Sequence, residues 1–308
     1  MTERQITRTD ADALIETQVA NEIFEGVIKG SKVLSMFKRL PNMTSDKTKL
    51  KVLESLPIAY FVDETNKNGR KNITKMAWEG KYINAAEVAV IVPIKENVLN
   101  DSSIDIWADV RPRLVEAFYK KIDNAIINGT NKPADWRKGL IPSIIEVGKE
   151  VTETGKLYSD INDTMVKVED SGYDVTGLLG GVGLKGKFRM MTDTSGQPLN
   201  TTEIGSLPRN YVDNGAWDKE TSILIAGDFS QAVYSIRQDI TYKVLDQAVI
   251  QDPDTGEILY NLAQDDMVAL RVVMRLGWEI PNPVNALDES ETRFPFANLK
   301  PGAAATEL

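Results

Sequence analysis

The sequence holds neither cysteine nor histidine among its 308 residues. Without cysteine there are no disulfides and no thiolate nucleophiles; without histidine there is no Ser-His-Asp triad, and no Cys/His zinc site is left. Stability must come from packing and association, and nothing calls for an oxidising compartment. Long apolar runs are missing too. The Met1-Thr2-Glu3-Arg4-Gln5 start has no signal-peptide core, and the most apolar stretch, 88–94, is far short of the about 20 residues a membrane span needs. These absences predict a soluble intracellular product without membrane contact. The Asn-x-Thr triplets at Asn42, Asn72, Asn128 and Asn162 are then chance matches.

Cations are the minority charge: 36 Lys and Arg stand against 45 Asp and Glu, a net charge of −9. Affinity for phosphate backbones needs clustered cations, so the balance argues against a dedicated nucleic-acid binder. It leaves room for a protein that lies beside DNA without sticking to it. What is present, 42% hydrophobic and 26% charged residues, is the composition of a folded chain with enough apolar mass for two domains, or for one core with a large excursion.

Residues 10–29 carry Ile15, Val19, Ile23 and Val27 at steps of four, which predicts an amphipathic helix. Residues 31–41 are apolar without a period and fit either an arm docking on a neighbour or a local core segment. Between 49 and 94 the pattern is strand-like around a polar, charged middle containing Asn68-Gly69, a dipeptide suited to tight turns. This predicts a two-stranded ribbon with a solvated tip. Such a ribbon cannot bury both faces within its own subunit, so it is expected to lie on another chain. Ile106, Val110, Leu114, Phe118, Ile122 and Ile126 recur every four residues, from the capping cluster at 100–103 to Asn128-Gly129. They predict the longest helix, with a kink or a second start at Pro112.

Further on, 160–170 reads as a short helix, 173–215 as loops with short strands, 223–225 as a buried strand and 228–237 as a short helix capped by Asp228. The strongest strand signal is the alternation Val268, Leu270, Val272, Met274, Leu276, Trp278, Ile280. Its partner is expected at 240–250, with 252–256 as the turn between them. Pro281 and Pro283 end the sheet, and the tail beyond about 290 reads as unstructured.

Several motifs resemble sites and fail on inspection. Gly181, Gly183, Gly186 and Lys187 satisfy part of a phosphate-loop pattern, but Phe188 stands where a Mg²⁺-binding hydroxyl is required, and no acid follows near 206 for a dinucleotide ribose. A flexible glycine loop is expected instead. Residues 252–257 open like a calcium loop but lack the ligand spacing. Asp63-Glu64 and Asp265-Asp266 are adjacent, and adjacent side chains point apart, so neither pair converges for acid/base work. Arg111, Arg113, Lys120 and Lys121 place cations on the long helix, either as a solvated face or as one turned toward a polyanion.

Four segments in order resemble the Hong Kong 97-type major capsid proteins of tailed bacteriophages. They are Val110-Arg111-Pro112-Arg113-Leu114 with 123–130, then 193–199, then Gly227-Asp228-Phe229-Ser230 with Arg237, and lastly 264–275 with Pro281-Asn282-Pro283. The resemblance covers about 10–287. It implies an α+β capsid fold with an N-terminal arm (1–45), an extended β-hairpin loop with flanking strands (46–98), and a peripheral domain made of a spine helix (99–140) and an antiparallel sheet (238–280). An axial domain (141–237) is rejoined by 281–308, which ends in the C-terminal tail.

It further implies a non-enzymatic shell subunit of the virion, assembling in the host cytoplasm as pentamers and hexamers around double-stranded DNA. The implied partners are a portal and a separate scaffolding protein, since the match starts near residue 10. No cofactor or metal is implied. Asn66, Lys67, Asn68, Gly69, Arg70 and Lys71 would form the inter-subunit loop tip, and Arg111, Arg113, Lys120 and Lys121 are candidate DNA-facing or interface cations. Some relatives cross-link subunits through a Lys–Asn isopeptide bond assisted by a Glu. Lys67, Lys71 and Lys75 lie in or near the right loop, but the Asn and Glu partners have no match, so no cross-link is expected. The alternatives are an encapsulin-like compartment shell, which encloses cargo enzymes in a similar fold, and a loop-rich enzyme using Lys and carboxylates, which no constellation supports.

Overall fold

A computed structural model describes residues 30–57, 74–97, 106–192, 197, 207–252 and 255–302. The expected helix at 10–29, the capping cluster at 100–103 and the ribbon tip lie outside these residues. The chain begins with α1 (Lys32–Met36), β1 (Lys38–Arg39), β2 (Lys47–Ser55), β3 (Ala77–Asn84), β4 (Ala86–Lys95) and the long helix α2 (Ile106–Ile127). It continues through α3 (Leu140–Glu146), β5 (Glu150–Thr152), α4 (Leu157–Glu169), β6 (Gly177–Gly181), α5 (Leu184–Arg189), β7 (Arg209–Val212) and β8 (Leu224–Gly227). The last strands are β9 (Val233–Leu245), β10 (Val249–Gln251), β11 (Ile258–Asn261), β12 (Met267–Glu279) and β13 (Phe296–Lys300).

Among the described residues the strands form a four-stranded sheet ordered β1-β9-β12-β4, a five-stranded sheet ordered β5-β13-β8-β6-β7, and the two-stranded ribbons β2-β3 and β10-β11. The class is α+β, as expected. The period of four on α2 does its work in the main core: Leu114, Phe118, Ile122 and Ile126 are buried in one cluster with Leu270, Val272, Met274, Leu276 and Trp278 of β12. Helix α2 is one 22-residue element, so no second helix starts at Pro112. A proline removes a single backbone bond, which a long helix buried along one stripe tolerates. The two readings of 31–41 resolve to core: Ser31 caps α1, and Val33, Leu34 and Phe37 join the main cluster.

Strand β9 pairs with β12 as expected, Tyr242 opposite Val272 and Val244 opposite Leu270. The turn at 252–256, however, closes the separate hairpin β10-β11. There Gly256 (φ +73°) donates its N–H to the Asp252 carbonyl at 2.9 Å, and the Thr255 N–H reaches the Asp252 side chain at 2.9 Å.

Three further expectations fail. The predicted helix at 228–237 is a single 3₁₀ turn followed by β9. Asp228 does cap it, accepting from the Ser230 N–H at 3.0 Å, but a cap supports only the first turn. From Val233 on, pairing with β12 decides the conformation, placing Tyr234 opposite Trp278 and Ile236 opposite Leu276. The predicted unstructured tail contains β13, which lies between β5 and β8 with Phe296, Ala297, Asn298 and Leu299 all buried. A central strand covered on both faces shows no alternation, and its partners are distant in sequence, so nothing local announces it. The predicted glycine loop is strand β6, a turn at Val182-Gly183 and helix α5, in which Leu184 and Phe188, one turn apart, enter a second core cluster. Phe188 is therefore an anchor, and Lys187 is ion-paired to Glu153.

Candidate assembly surfaces

The ribbon β2-β3 owes its two faces to strand periodicity. Lys49 lies opposite Tyr82, Lys51 opposite Gly80 and Leu53 opposite Trp78, so these side chains share one face while Leu50, Val52 and Ile83 share the other. The inner face packs on its own subunit, where Val52 is buried and Ile83 is buried with Met43 and Val233. The outer face carries exposed Lys47, Lys49 and Lys51 beside Trp78, 63% exposed, and Tyr82, 49% exposed. Lys49 Nζ sits 6.0 Å from the Tyr82 ring centroid. The described part of the ribbon thus buries one face within its subunit and leaves the other open. The half left open is aromatic and cationic.

The sheet holds the base of this ribbon at defined points. Gly277 of β12 allows the closest approach, since a Cβ there would stand 2.4 Å from the Asn84 carbonyl oxygen. Asn84 donates from Nδ2 to the Asp135 carbonyl at 2.9 Å, and its own carbonyl accepts from Trp136 Nε1 at 3.1 Å. The Asp46 carboxylate meets Arg275 at 3.2 Å and Arg237 at 3.4 Å. Arg137 is ion-paired to Glu279 at 2.9 Å and lies 5.6 Å from both the Trp278 and the Phe294 rings.

At the other end of β12 stands the ribbon β10-β11. Its short strands leave Val249, Ile258, Leu259 and Tyr260 exposed. Around them are the exposed acids Asp246, Glu257, Asp265 and Asp266. Asp265 is fixed as part of a turn, its carboxylate accepting the Asn261 N–H at 2.9 Å, in keeping with the surface reading of the Asp265-Asp266 pair.

The described helix cations do not share one face. Arg113 and Lys120 are exposed and, seven residues apart, share a face of α2. Lys121, turned by about 100°, borders a groove of ≈ 420 Å³ between α2 and β4 that also includes Glu87, Ala117 and Trp136. The Arg111 side chain and Asn66, Lys67, Asn68, Gly69, Arg70 and Lys71 lie outside the described residues.

Sequence reasoning missed one polar node, the buried Asp123 on α2. Its carboxylate accepts from Ser31 Oγ and from Asn214 Nδ2 (2.7 Å), with the backbone N–H groups of Lys32 and Val33 nearby. It therefore ties the N-terminus of α1 and the 213–216 loop to the long helix. Burial pushes its pKa up to about 6, outweighing the hydrogen bonds that favour the charged form. Asp123 follows Ile122 directly in the apolar repeat, so the only available signal was an acid beside a buried stripe.

Among the described residues no three or more Asp or Glu side chains are placed to hold a metal ion, and no helix is long and apolar enough to cross a membrane. The built features are surfaces.

The chain is 27% identical to the major capsid protein of Staphylococcus phage 80alpha, with 87% of this chain and 82% of that one covered. A solved chain from Microbacterium phage Oxtober96 is 34% identical with a TM-score of 0.78, over 88% of this chain and 91% of that one. One from Mycobacterium phage Adephagia is 29% identical with a TM-score of 0.80, over 89% and 91%. The fold is the Hong Kong 97-like one that the sequence resemblance implies. With residues 11–287 matching the family description itself, the chain belongs to the phage capsid family.

Proposed function

We propose that this capsid subunit self-assembles as pentamers and hexamers into a closed icosahedral shell around the double-stranded DNA of a tailed phage. The observation that carries the reading is the outer face of β2-β3, where Trp78 and Tyr82 stand exposed on a ribbon whose other face is already buried. Large aromatic side chains left uncovered on one face by the subunit fit a neighbour. In this reading α2 with the β9-β12-β4 sheet forms the peripheral domain, and the five-stranded sheet forms the axial one. The tip from Asn66 to Lys71 extends the ribbon onto the adjacent subunit.

Assembly takes place in the host cytoplasm with a separate scaffolding protein and a portal. The net charge of −9 suits a shell that packs DNA without holding it tightly, and Arg113, Lys120 and Lys121 serve as interface or DNA-facing cations. The subunit has no catalytic role. Electron microscopy of the protein produced with its scaffolding partner should show closed shells of uniform size. Monodisperse monomers at all concentrations would overturn the reading.

A further inference from the structure

The segment 281–293, which returns the chain from β12 toward β13, is built as a strap around one arginine. Arg293 donates from Nε to the Pro283 carbonyl at 3.1 Å, and from its terminal nitrogens to the Ser290 and Asn282 carbonyls at 2.7 and 3.2 Å. Asn282 sits at φ +49°, a left-handed conformation that asparagine tolerates better than most residues, and its Nδ2 donates back to the Arg293 carbonyl at 2.9 Å. Pro281 and Pro283 on either side fix their own φ angles, so the turn has few other shapes open to it.

Consecutive residues of this strap hold two different parts of the subunit. On one side the Val284 N–H donates to the Leu53 carbonyl of β2 at 3.0 Å, where the β2-β3 register shifts between Leu53 and Ser55. On the other, the Tyr173 hydroxyl reaches Asn282 Oδ1 at 2.7 Å and lies 3.1 Å from the Pro283 carbonyl, while its ring is buried with Val168 of α4 and Ala297 of β13. Asn285 adds a second seat there: its Nδ2 donates to the Ser171 carbonyl at 2.8 Å, beside Gly172, where a Cβ would stand 2.4 Å from Asn285 Oδ1. A cleft of ≈ 460 Å³ between ribbon and strap, lined among others by Val52, Leu53, Gln231, Pro281 and Pro283, leaves the ribbon room to move once the tie at Leu53 opens.

We propose that the strap is a conformational coupler: the outer part of the ribbon β2-β3 stays seated against its own subunit only while Tyr173, on the side of the five-stranded sheet, holds Asn282 and Pro283 in place. Leu53 and Tyr173 are linked through Val284 and Pro283, neighbours in a turn too constrained to yield at one end without the other. Opening at either end is felt at the other, and by linkage equally in both directions. The coupling belongs to the unassembled subunit, so it stands or falls apart from the shell reading.

Hydrogen exchange read by mass spectrometry on the full-length unassembled protein tests it with Tyr173→Phe, which removes the hydroxyl and keeps the buried ring. Peptides covering Leu50 to Ser55 and Ala77 to Gly80 should exchange about tenfold faster, with β8 unchanged. Thr164→Val is the control: it removes the bond from Thr164 Oγ1 to the Asp160 carbonyl within α4 and should leave the ribbon protected. Val284→Pro removes the N–H that meets Leu53 and should accelerate the ribbon to the same extent. Combined with Tyr173→Phe it should add nothing further, since both changes break one link. Circular dichroism checks that each variant folds; should Val284→Pro fail to, the comparison of Tyr173→Phe with Thr164→Val decides alone. Unchanged ribbon exchange in Tyr173→Phe, equal acceleration by Thr164→Val, or effects that multiply in the combined chain would overturn the coupling. Acceleration of β8 as strong as that of the ribbon would show a general loss of stability and overturn it as well.

Discussion

The five-stranded sheet and the ribbon β2-β3 spend apolar surface in opposite ways. In β13 and β8 the runs Phe296–Leu299 and Leu224–Gly227 are wholly buried, and the subunit supplies both covering layers. In β2-β3 only the inner face is covered, by Met43 and Val233, while Trp78 and Tyr82 remain outside. The first region is finished within one chain. The second is held to the sheet through Gly277, Asn84 and Asp46, and its outer face is left open by the subunit. On the proposed assembly, stability of the subunit and stability of a shell are written in different residues, and substitutions should separate them.

The largest effect on the subunit should come from Phe296→Ala, which leaves a cavity where Phe296 meets Phe229 at 5.1 Å between ring centroids. A loss of about 4 kcal/mol of unfolding free energy is expected in urea titration of the unassembled protein. A loss below about 1 kcal/mol would show that the finished region does not dominate subunit stability.

Asp123 comes next and gives a pH signature. Its pKa is raised from 3.8 to about 6, so between those values the folded state binds more protons than the unfolded one. Stability from this group is therefore greatest below pH 4 and declines as pH rises through 6, by about 3 kcal/mol in all. Subtracting the profile of Asp123→Asn from that of the parent should isolate this fall; a flat difference would mean that the carboxylate is not strained by burial.

Gly277→Ala tests the attachment itself, because the new methyl meets the backbone at Asn84. A loss of about 2 kcal/mol is expected, together with faster hydrogen exchange in β2 and β3 than in β13. Uniform loosening of both regions would blur the comparison. The smallest effect on the subunit should be that of Trp78→Ala, within about 0.5 kcal/mol, since the side chain is mostly solvated. Assembly should nonetheless weaken about tenfold or more, read by light scattering. An equal effect on both would place Trp78 in the subunit fold rather than in an interface.

The sequence by itself determined what repeats locally. The period of four from Leu114 to Ile126 found the buried stripe of α2, and the period of two from Val268 to Trp278 found the central strand, because each pattern records one buried face of one element. The missing Cys and His removed a large part of enzyme chemistry before any fold was known, and Phe188 spoke against a phosphate loop. Tertiary structure decided the rest. Strand β13 exists because β5 and β8, far away in the chain, flank it, and β9 extends to Val233 because β12 reaches that far. Asp123 becomes a node only when Ser31 and Asn214 arrive from distant segments. The ribbon β2-β3 divides the same way: its sequence predicted two strands that cannot bury both faces, and cross-strand register decided that Lys47, Lys49, Lys51, Trp78 and Tyr82 share the uncovered one. Periodicity reports a face, whereas pairing partners, buried polar contacts and uncovered surfaces depend on which distant segments the fold brings together.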